Sequence, residues 1–263
     1  MAEASAMQFN KLTSSSLSLT GLIALCGTLQ YQNKLNNAMR TIEQFLKLVK
    51  KPVISAGFGK DSMATAIIAK AVDHTIPIIC ANPPNPLSDR QKHIKNAIDY
   101  FGDNITQIPY YWDVQSVLDK KNKYPTGLKA KILSKWQKDN NIDGVILGVR
   151  NSESRARTIN YAMRGDIYQV SDGTWRCLPI AKFTAEESLA TALYFDAPIN
   201  PVYQKTKLMT SFEQIRDGTW WPHGIADSRG FSEWLKIYYP EHYNEYMLAI
   251  KLEDSYIKDI CIY

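Results

Sequence analysis

A short glycine-rich segment, placed directly before an apolar helical run, carries the residue types best suited to binding a phosphate. Gly57 and Gly59 have no Cβ, so backbone N–H groups at these positions can come close to an anion. The helix predicted to begin near Asp61 would direct its unpaired N–H groups and the positive end of its dipole at the same anion. Lys60 adds a positive charge and Ser62 a hydroxyl donor. The segment therefore predicts a phosphate-binding loop.

Two other interpretations of this segment were compared with the phosphate-binding loop, and the first of them does not fit the spacing. The P-loop of common nucleoside triphosphatases has four residues between its first glycine and the Gly-Lys-[Ser/Thr] triplet, and the spacing here is shorter. The simpler alternative is a glycine turn before a helix, followed by Lys60, Asp61 and Ser62 by chance.

The elements that position this loop are predicted by alternating apolar patterns. Short, continuously apolar runs predict strands at residues 52–55, 76–81, 105–111 and 143–148. Helical patterns precede and separate them, at residues 35–49, 62–72, 89–101 and 126–139. This alternation predicts an α/β fold with a parallel, doubly wound sheet. Ligands of such sheets lie beyond the carboxyl ends of the strands. Four further residues are expected at that edge: Ser55, Ala81, Asn82 and Gly148.

A second group of polar residues follows the strand predicted at 143–148. Arg150 and Arg157 carry planar guanidinium groups with several donors, which suit phosphate or sulfate oxygens. Glu153 could orient one of these arginines or hold a metal ion through water. The alternative is a solvated start of a helix, in which Glu153 and Arg157 form an i,i+4 ion pair.

The pattern changes after about residue 165. Residues 165–178 predict a short hairpin with Asp172-Gly173 at its turn, and Thr184 with Glu187 predicts a capping box that opens a helix. We expect three regions: an N-terminal helical segment (1–50), the α/β domain that carries the loop (51–205), and an aromatic-rich, mainly helical C-terminal extension (206–263).

Length and composition describe an ordinary globular protein. The chain has 263 residues, a net charge of +5 and a pI near 8.8, and its basic residues are scattered. Its four cysteines lie far apart, which argues against a zinc site, an iron–sulfur cluster or a disulfide framework. The apolar run at residues 17–29 is too short to span a bilayer and lacks a convincing cleavage site, so a buried helix or docking segment is expected there. We expect a soluble, cytoplasmic protein without a membrane partner.

Three blocks of the sequence resemble one enzyme superfamily. The run Phe58-Gly59-Lys60-Asp61-Ser62 is similar to the PP-loop of the ATP pyrophosphatases, with Gly57 in place of the usual first serine. Within that superfamily it most resembles the 3'-phosphoadenylyl sulfate (PAPS) reductase family. Residues 148–157 resemble that family's Gly-x-Arg-x-x-Glu-Ser-x-x-Arg block, and Asn200-Pro-Val-Tyr203 resembles its Pro-x-Asn-Pro-Leu-Tyr segment. The resemblance spans about residues 52–203 and implies the adenine nucleotide alpha hydrolase-like fold.

The sequence departs from the reductases where their chemistry takes place. Those enzymes attack the substrate sulfur with a cysteine in a C-terminal Glu-Cys-Gly-x-His-type motif, whereas Cys261 lacks the flanking glycine and histidine. An inert Cys261 is therefore the favoured interpretation. Lys182 replaces the family's aspartate and Phe183 its tryptophan. The usual Asp-Thr-Gly after the second strand reads Ala81-Asn-Pro-Pro84 here.

The resemblance implies a reaction in which ATP is cleaved between its α and β phosphates and AMP is transferred to a second substrate. It implies ATP and Mg²⁺ as cofactors and four catalytic residues, of which Asp61 would also lie near the metal: Lys60, Asp61, Arg150 and Arg157. The residues expected to bind the nucleotide are Ser55, Gly57, Phe58, Gly59, Lys60, Ser62, Ala81, Asn82, Gly148 and Glu153. Lys129 and Lys131 could reach the same rim, although surface lysines are the simpler interpretation.

Three functions remain open on the sequence alone. The favoured one is ATP-dependent adenylyl transfer to an unknown acceptor, which could be a nucleotide or nucleic acid and could serve sulfur or nitrogen transfer. The second is a thioredoxin-dependent PAPS reductase that uses Cys261. The third is a non-catalytic module that binds a nucleotide or nucleic acid through an inherited loop. The aromatic residues of the tail could also form part of the core or of a homo-oligomer interface.

Overall fold

A six-stranded sheet organises the fold in the computed structural model of the chain, which describes residues 19–82, 87–109, 127–206, 211–215 and 231–248. In chain order the strands are β1 (Pro52–Ser55), β2 (Ile78–Asn82), β3 (Ile105–Pro109), β4 (Gly144–Leu147), β5 (Ile167–Gln169) and β6 (Trp175–Cys177). Their spatial order is β3-β2-β1-β4-β6-β5. Neighbouring strands are parallel except for β5 and β6, which are antiparallel. The predicted parallel α/β sheet is confirmed, and so is the hairpin predicted at residues 165–178.

Helices precede, separate and follow these strands. They are α1 (Leu19–Cys26), α2 (Leu29–Leu46), α3 (Lys60–Val72), α4 (Ser88–Phe101), α5 (Leu128–Asp139), α6 (Arg155–Arg164), α7 (Ala185–Tyr194) and α8 (Phe231–Tyr238). Residues 240–248 are also helical. Short 3₁₀ helices cover Asn151–Glu153, Pro201–Gln204 and Phe212–Gln214. The predicted alternation is confirmed with shifted ends. For example, β2 begins at Ile78 instead of residue 76, because Pro77 has no N–H to donate to the sheet.

Apolar residues of the central strands alternate between the two faces of the sheet. One set faces a large core that also includes side chains of α2, α3, α4 and α7: Ile54, Ile78, Cys80 and Ile146. The other set forms a smaller cluster against α5: Val53, Ile79 and Val145. Helices therefore cover both faces, as a doubly wound sheet requires.

The strand order places a crevice between β1 and β4. The chain runs outward from β1 to β2 and β3, and then returns to β4 on the other side of β1. The two strands are in register up to the pair Ser55 and Leu147. Such a reversal of strand order is the place where doubly wound sheets bind ligands, beyond the carboxyl ends of the strands. The loop at residues 57–62 follows β1 at this point.

The N-terminal helices dock on α7. Cys26 of α1 is buried, and its thiol donates to the Ala190 carbonyl at 3.2 Å. Tyr31 of α2 is fully buried and its hydroxyl donates to Thr191 Oγ1 at 3.0 Å. A helix is present within residues 17–29, and it docks through the buried Leu22 and Cys26 while Ile23 is 53% exposed, so the docking segment is the better of the two expectations for it. Within those residues, no helix combines the length and apolarity needed to cross a bilayer.

The predicted capping box opens α7. Thr184 Oγ1 accepts the Glu187 N–H at 3.1 Å, and the Glu187 carboxylate accepts the Thr184 N–H at 2.7 Å. Lys34 of α2 forms an ion pair with the same carboxylate at 2.8 Å. One buried glutamate therefore caps α7 and also holds α2 against it.

Two large aromatic residues of the C-terminal extension belong to the core. Trp234 and Tyr239 are fully buried. The indole N–H of Trp234 donates to the Lys205 carbonyl at 2.7 Å, and the Tyr239 hydroxyl donates to Asp89 at 2.8 Å. Burial leaves neither ring a face on which a base could stack. The division into regions 1–50, 51–205 and 206–263 stays a prediction.

Candidate nucleotide-binding site

The turn between β1 and α3 is anchored by Phe58. Its side chain is fully buried and stacks on Phe101, with ring centroids 6.0 Å apart and planes at 20°. Its backbone has φ +58°, in the left-handed region that side chains other than glycine rarely adopt. His93 Nε2 donates to the Phe58 carbonyl at 2.8 Å. The loop residue expected to contact the nucleotide therefore points into the core, and the partly exposed Gly57 and Gly59 lie on either side of it.

Gly57 leaves space in front of two positive charges. A Cβ at this position would lie 3.6 Å from an Arg90 guanidinium nitrogen and 3.7 Å from Lys129 Nζ. Both are ordinary contact distances, and the backbone of Gly57 is outside the left-handed region. Neither conformation nor a backbone clash therefore requires glycine here. The absence of a side chain leaves the Gly57 backbone accessible beside these two cations.

The first turn of α3 supplies N–H donors beside this space. Gly59 is the N-cap of the helix and has no side chain to bond the first N–H groups. The Lys60 N–H donates to the Tyr203 hydroxyl at 2.8 Å. The N–H groups of Asp61 and Ser62 have no acceptor within the helix, as at every helix start. The Ser62 hydroxyl donates to the Gly59 carbonyl at 3.2 Å, which stabilises the turn.

A chain of four charges extends from α3 to the C-terminal extension. Lys60 Nζ lies 3.2 Å from one carboxylate oxygen of Asp61, and Arg150 Nε lies 2.7 Å from the other. The two terminal nitrogens of Arg150 bond the two carboxylate oxygens of Glu213, one of them at 2.6 Å. Burial disfavours the charge of Arg150, but the hydrogen bonds and charges of Glu213 and Asp61 outweigh it and raise the pKa of the guanidinium above its usual value.

Gly148 allows β4 to approach the start of α3. A Cβ here would lie 2.6 Å from the Ser62 Cα, 2.7 Å from the Ser62 nitrogen and 2.8 Å from the Asp61 carbonyl carbon. Side chains do not occupy positions this close to a backbone, so the contact requires glycine. Gly148, expected to bind the nucleotide, thus lies directly against the backbone of the loop helix.

Glu153 and Arg157 lie next to the charged chain. Glu153 accepts the Arg150 N–H at 3.0 Å and forms the i,i+4 ion pair with Arg157. The Arg157 side chain is 44% exposed, whereas that of Arg150 is fully buried. Of the two arginines expected to be catalytic, Arg150 is buried between Asp61 and Glu213, whereas Arg157 lies at the surface.

The two site residues expected on β2 lie at the end of the neighbouring strand. Ala81 is buried. Asn82 is partly exposed, and its side-chain amide donates to the Gln107 side-chain carbonyl at 2.6 Å. Ser55 ends β1 beside them. The structure therefore brings these three residues to the same edge of the sheet as the loop.

Sequence reasoning missed three residues: Arg90 and His93 lie against the loop, and Glu213 is linked to it through Arg150. Arg90 and His93 lie near the start of α4, which follows β2, so the rule that sites lie beyond strand ends could have raised them. No sequence signal indicated Glu213, which lies 63 residues beyond Arg150. Of Lys129 and Lys131, the two lysines expected near this rim, Lys129 is the one whose Nζ lies 3.7 Å from the Cβ position at Gly57.

Asp61 is the carboxylate nearest the start of α3 that could serve Mg²⁺. Within the described ranges, no three His, Cys, Asp or Glu side chains gather to hold a metal ion. Mg²⁺ is commonly bound through one or two carboxylates, with phosphate oxygens and water completing its shell. A single aspartate beside a loop that is predicted to bind phosphate fits that pattern.

The described cysteines do not resemble nucleophiles. Cys26, Cys80 and Cys177 are all buried. Burial raises the pKa of the Cys26 and Cys177 thiols, which disfavours the reactive thiolate. Cys261, the cysteine considered for a reductase, lies outside the described residues.

Solved structures of two enzymes share this architecture, whereas no family model and no curated protein sequence matches the chain. PAPS reductase from Candida auris, in a phosphate complex, matches with a TM-score of 0.50 and 11% identity over 72% of this chain and 92% of the reductase. FMN adenylyltransferase from Candida glabrata, in complex with ATP, matches with a TM-score of 0.50 and 14% identity over 77% of this chain and 66% of that enzyme. The chain has the fold of both enzymes.

The fold implied by the sequence resemblance is therefore confirmed. The FMN adenylyltransferase complex with FAD and inorganic pyrophosphate gives a TM-score of 0.51 at 12% identity, over 75% of this chain. The chain spans slightly less than two thirds of that enzyme's length. At such identities the likeness concerns the fold.

Proposed function

We propose that this protein is an ATP-dependent adenylyl transferase that binds ATP at residues 57–62. The observation that carries the proposal is the placement of this loop at the β1–β4 crevice, with Gly57 beside Arg90 and Lys129 and with the N–H groups of α3 beside Lys60. A helix start of this kind binds phosphate groups through its N–H donors and its dipole. The solved FMN adenylyltransferase structures of the same fold hold ATP, or FAD and pyrophosphate, which supports the same chemistry here.

The proposed reaction is a displacement at the α phosphorus of ATP. A lone pair of an acceptor oxygen forms the new P–O bond while the bond between the α phosphorus and the bridging oxygen breaks. Pyrophosphate leaves with that electron pair, and the acceptor proton passes to solvent. Lys60 and the N–H groups of Asp61 and Ser62 would stabilise the negative charge that develops on the phosphates. Mg²⁺, held through Asp61, would neutralise further phosphate charge when bound.

The two arginines would have different roles. Both ends of the Arg150 guanidinium are bonded to carboxylates, so Arg150 would position Asp61 rather than contact the substrate. Arg157 pairs with Glu153 at the surface, and surface ion pairs are typically worth only about 0–1 kcal/mol. It could exchange Glu153 for an anionic acceptor at small energetic cost.

The reaction is tested by product analysis. The protein would be incubated with ATP, Mg²⁺ and mixtures of nucleotides or RNA as acceptors, and the products separated. AMP-linked acceptor and pyrophosphate in equal amounts are expected, and Lys60→Ala should abolish both. Formation of ADP and phosphate instead would contradict the proposal.

A PAPS reductase is the second candidate, because the chain has the fold of that enzyme and covers 92% of it. This candidate requires a thiol nucleophile, for which Cys261 was considered. Sulfite release from PAPS with thioredoxin, lost in Cys261→Ser, would favour the reductase over adenylyl transfer. Under the adenylyl-transfer proposal, Cys261→Ser should leave pyrophosphate release from ATP unchanged.

A further inference from the structure

Helix α6 extends from the candidate site along the carboxyl edge of the sheet. Its N-cap Ser154 follows Glu153, which bonds the Arg150 N–H, so the helix begins beside the charged chain. Because β5 is antiparallel to β6, the first residue of β5 lies at the same edge as the end of β4. The chain runs from β4 through α6 to β5, and α6 therefore leads from the crevice to the border strand of the sheet. A large acceptor at the ATP site would lie along this helix.

The surface of α6 is exposed on all sides to an unusual degree. A helix of a folded protein ordinarily buries an apolar stripe against the core, but no residue of α6 is buried. Ile159 is 49% exposed and Met163 is 80% exposed. The three arginines of the helix, at positions 155, 157 and 164, are exposed as well, and the helix contains no acidic residue. Most of the surface of α6 is therefore accessible to a binding partner.

Cations and tyrosine rings alternate on one side of α6 and beside it. Arg157, Tyr161 and Arg164 are spaced by four and three residues, which places them on the same side of the helix. The guanidinium of Arg164 lies over the Tyr168 ring of β5, 5.2 Å from its centroid. Lys182 Nζ lies 5.9 Å from the centroid of the Tyr161 ring. These five side chains are called the α6 surface below.

The surrounding charges give this region a positive excess. Residues 155–182 carry five cationic side chains and two carboxylates. The carboxylates are Asp166, directly after α6, and Asp172, which accepts a backbone N–H inside the hairpin turn. Arg176 of β6 lies opposite Tyr168 in the strand register and extends the positive charge onto the hairpin. A local excess of one sign attracts a partner of the opposite sign, so the α6 surface complements a polyanion.

A second copy of the chain complements this surface poorly. Two α6 helices packed on each other would bring their arginines together, with no carboxylate on either helix to separate them. Only Ile159 and Met163 provide large apolar contacts on α6, whereas a stable interface buries about 800 Å² on each partner.

An unpaired nucleic-acid strand matches both kinds of side chain. Its phosphates pair with lysine and arginine, and its bases stack on tyrosine rings and guanidinium planes. Bases within a duplex are already stacked on each other, so the tyrosines favour an unpaired strand over a duplex.

We propose that the α6 surface binds an unpaired nucleic-acid strand and that nucleic acid is the acceptor class of this protein. Phosphates of the strand would contact Arg157, Arg164 and Lys182, and bases would stack beside Tyr161 and Tyr168. An oxygen of the strand at the N-terminal end of α6 would attack the α phosphorus of ATP. The acceptor role rests on the proposed function, whereas strand binding can be measured without ATP.

The test is fluorescence anisotropy of a labelled RNA strand of about 15 nucleotides, and of a DNA strand of the same sequence, titrated with the full chain at several salt concentrations. The double variant Arg164→Ala/Lys182→Ala should bind at least about tenfold more weakly than the wild type. Its plot of log affinity against log salt should be less steep by about 1.4, since each lost phosphate contact with a single strand removes about 0.7.

Arg40→Ala/Lys47→Ala is the matched control, because it removes an exposed arginine and an exposed lysine from α2 and its C-cap. It should bind both strands as the wild type does. Equal affinities and salt slopes for the two double variants would overturn the inference, and so would binding of neither strand to the wild type. Binding of a blunt duplex as tight as that of the unpaired strands would also overturn it.

The competing occupant, a second copy, is tested by sedimentation velocity. We expect a monomer in the absence of nucleic acid, or an oligomer whose state Met163→Glu leaves unchanged. A dimer that Met163→Glu dissociates, together with no strand binding, would assign the exposed side of α6 to self-association and overturn the inference.

Failure of this inference and failure of the proposed function give different results. Pyrophosphate release with a small acceptor, without binding of either strand, would leave the proposed function standing and overturn the inference. Strand binding that depends on Arg164 and Lys182, without ATP binding or an AMP-linked strand, would support the surface and overturn the proposed function. ATP affinity and the thermal unfolding temperature of Arg164→Ala/Lys182→Ala should equal those of the wild type, because both side chains are exposed and lie beyond the loop.

Discussion

At the scale of single residues, Gly148 positions the loop because it has no side chain. The end of β4 touches the backbone of Ser62 and Asp61 where any other residue would place a Cβ at 2.6–2.8 Å. Phe58 contributes in the opposite way, because its large buried ring fixes a turn whose φ of +58° would otherwise be unfavourable. Strained backbone of this kind costs about 1–3 kcal/mol and persists only when the surroundings enforce it.

Gly148→Ala should therefore displace the start of α3. We expect a loss of about 1–3 kcal/mol in the free energy of unfolding and, in addition, weaker ATP binding by the folded protein. Gly144→Ala on the same strand is the matched control, because its Cβ would meet the side chains of Phe45 and Val49 instead of the loop. Denaturant unfolding and ATP titration of both variants provide the measurement. ATP affinity reduced equally in both variants, or in neither, would contradict the positioning role of Gly148.

Glu213→Gln should destabilise the fold through Arg150. The buried guanidinium would keep Asp61 as its remaining charged partner, so the free energy of unfolding should fall by about 1–2 kcal/mol, moderated by the partial exposure of Glu213. The exposed Glu233→Gln of α8 is the control and should change stability little. Equal unfolding midpoints in urea for the two variants would show that the Glu213–Arg150 contact contributes nothing.

At the scale of elements, helix docking depends on a few buried polar contacts. The hydroxyl of Tyr31 joins α2 to Thr191 of α7, and Lys34 joins α2 to Glu187. Burial raises the pKa of Tyr31 to about 12, from an ordinary value of 10.0. The pattern of apolar residues predicted α2 itself, but its partner α7 lies about 150 residues away and could not be inferred from local periodicity.

The raised pKa of Tyr31 predicts a loss of stability at alkaline pH. In the unfolded chain Tyr31 loses its proton near pH 10, whereas in the folded protein it keeps it until about pH 12. The stabilising contribution is therefore complete below pH 10 and is lost as the pH rises towards 12. Unfolding free energies of Tyr31→Phe should decline less over this range than those of the wild type. The control Tyr194→Phe, at a half-exposed ring, should keep the wild-type decline, and an equal decline in all three proteins would contradict the prediction.

At the scale of the whole molecule, the sequence predicted the sheet and the place of the loop. Continuous apolar runs marked the strands, and the rule that ligands lie beyond the carboxyl ends of parallel strands placed Ser55, Asn82 and Gly148 near residues 57–62. Local patterns were sufficient because each strand and its following helix are neighbours in the chain.

The charged surroundings of the loop were not predictable in the same way. Arg90 lies against the loop and Glu213 is linked to it through Arg150, both by tertiary contacts, and neither residue lies in a motif that marks an anion site. The inward orientation of the Phe58 side chain depends on Phe101 of α4, which local patterns do not reveal, and a contact between Phe58 and the nucleotide stays a prediction. The buried aromatics of the C-terminal extension likewise depend on α4 and on the segment at Lys205.

The central claim, that ATP binds at residues 57–62, is tested most directly by titrating ATP with Mg²⁺ into the wild type, Lys60→Ala and Lys138→Ala. Lys60 lies at the start of α3 with a nearly buried side chain, whereas Lys138 is exposed at the far end of α5. We expect the wild type and Lys138→Ala to bind ATP equally and Lys60→Ala to bind at least about tenfold more weakly. No ATP binding by the wild type, or equal binding by Lys60→Ala, would contradict the account.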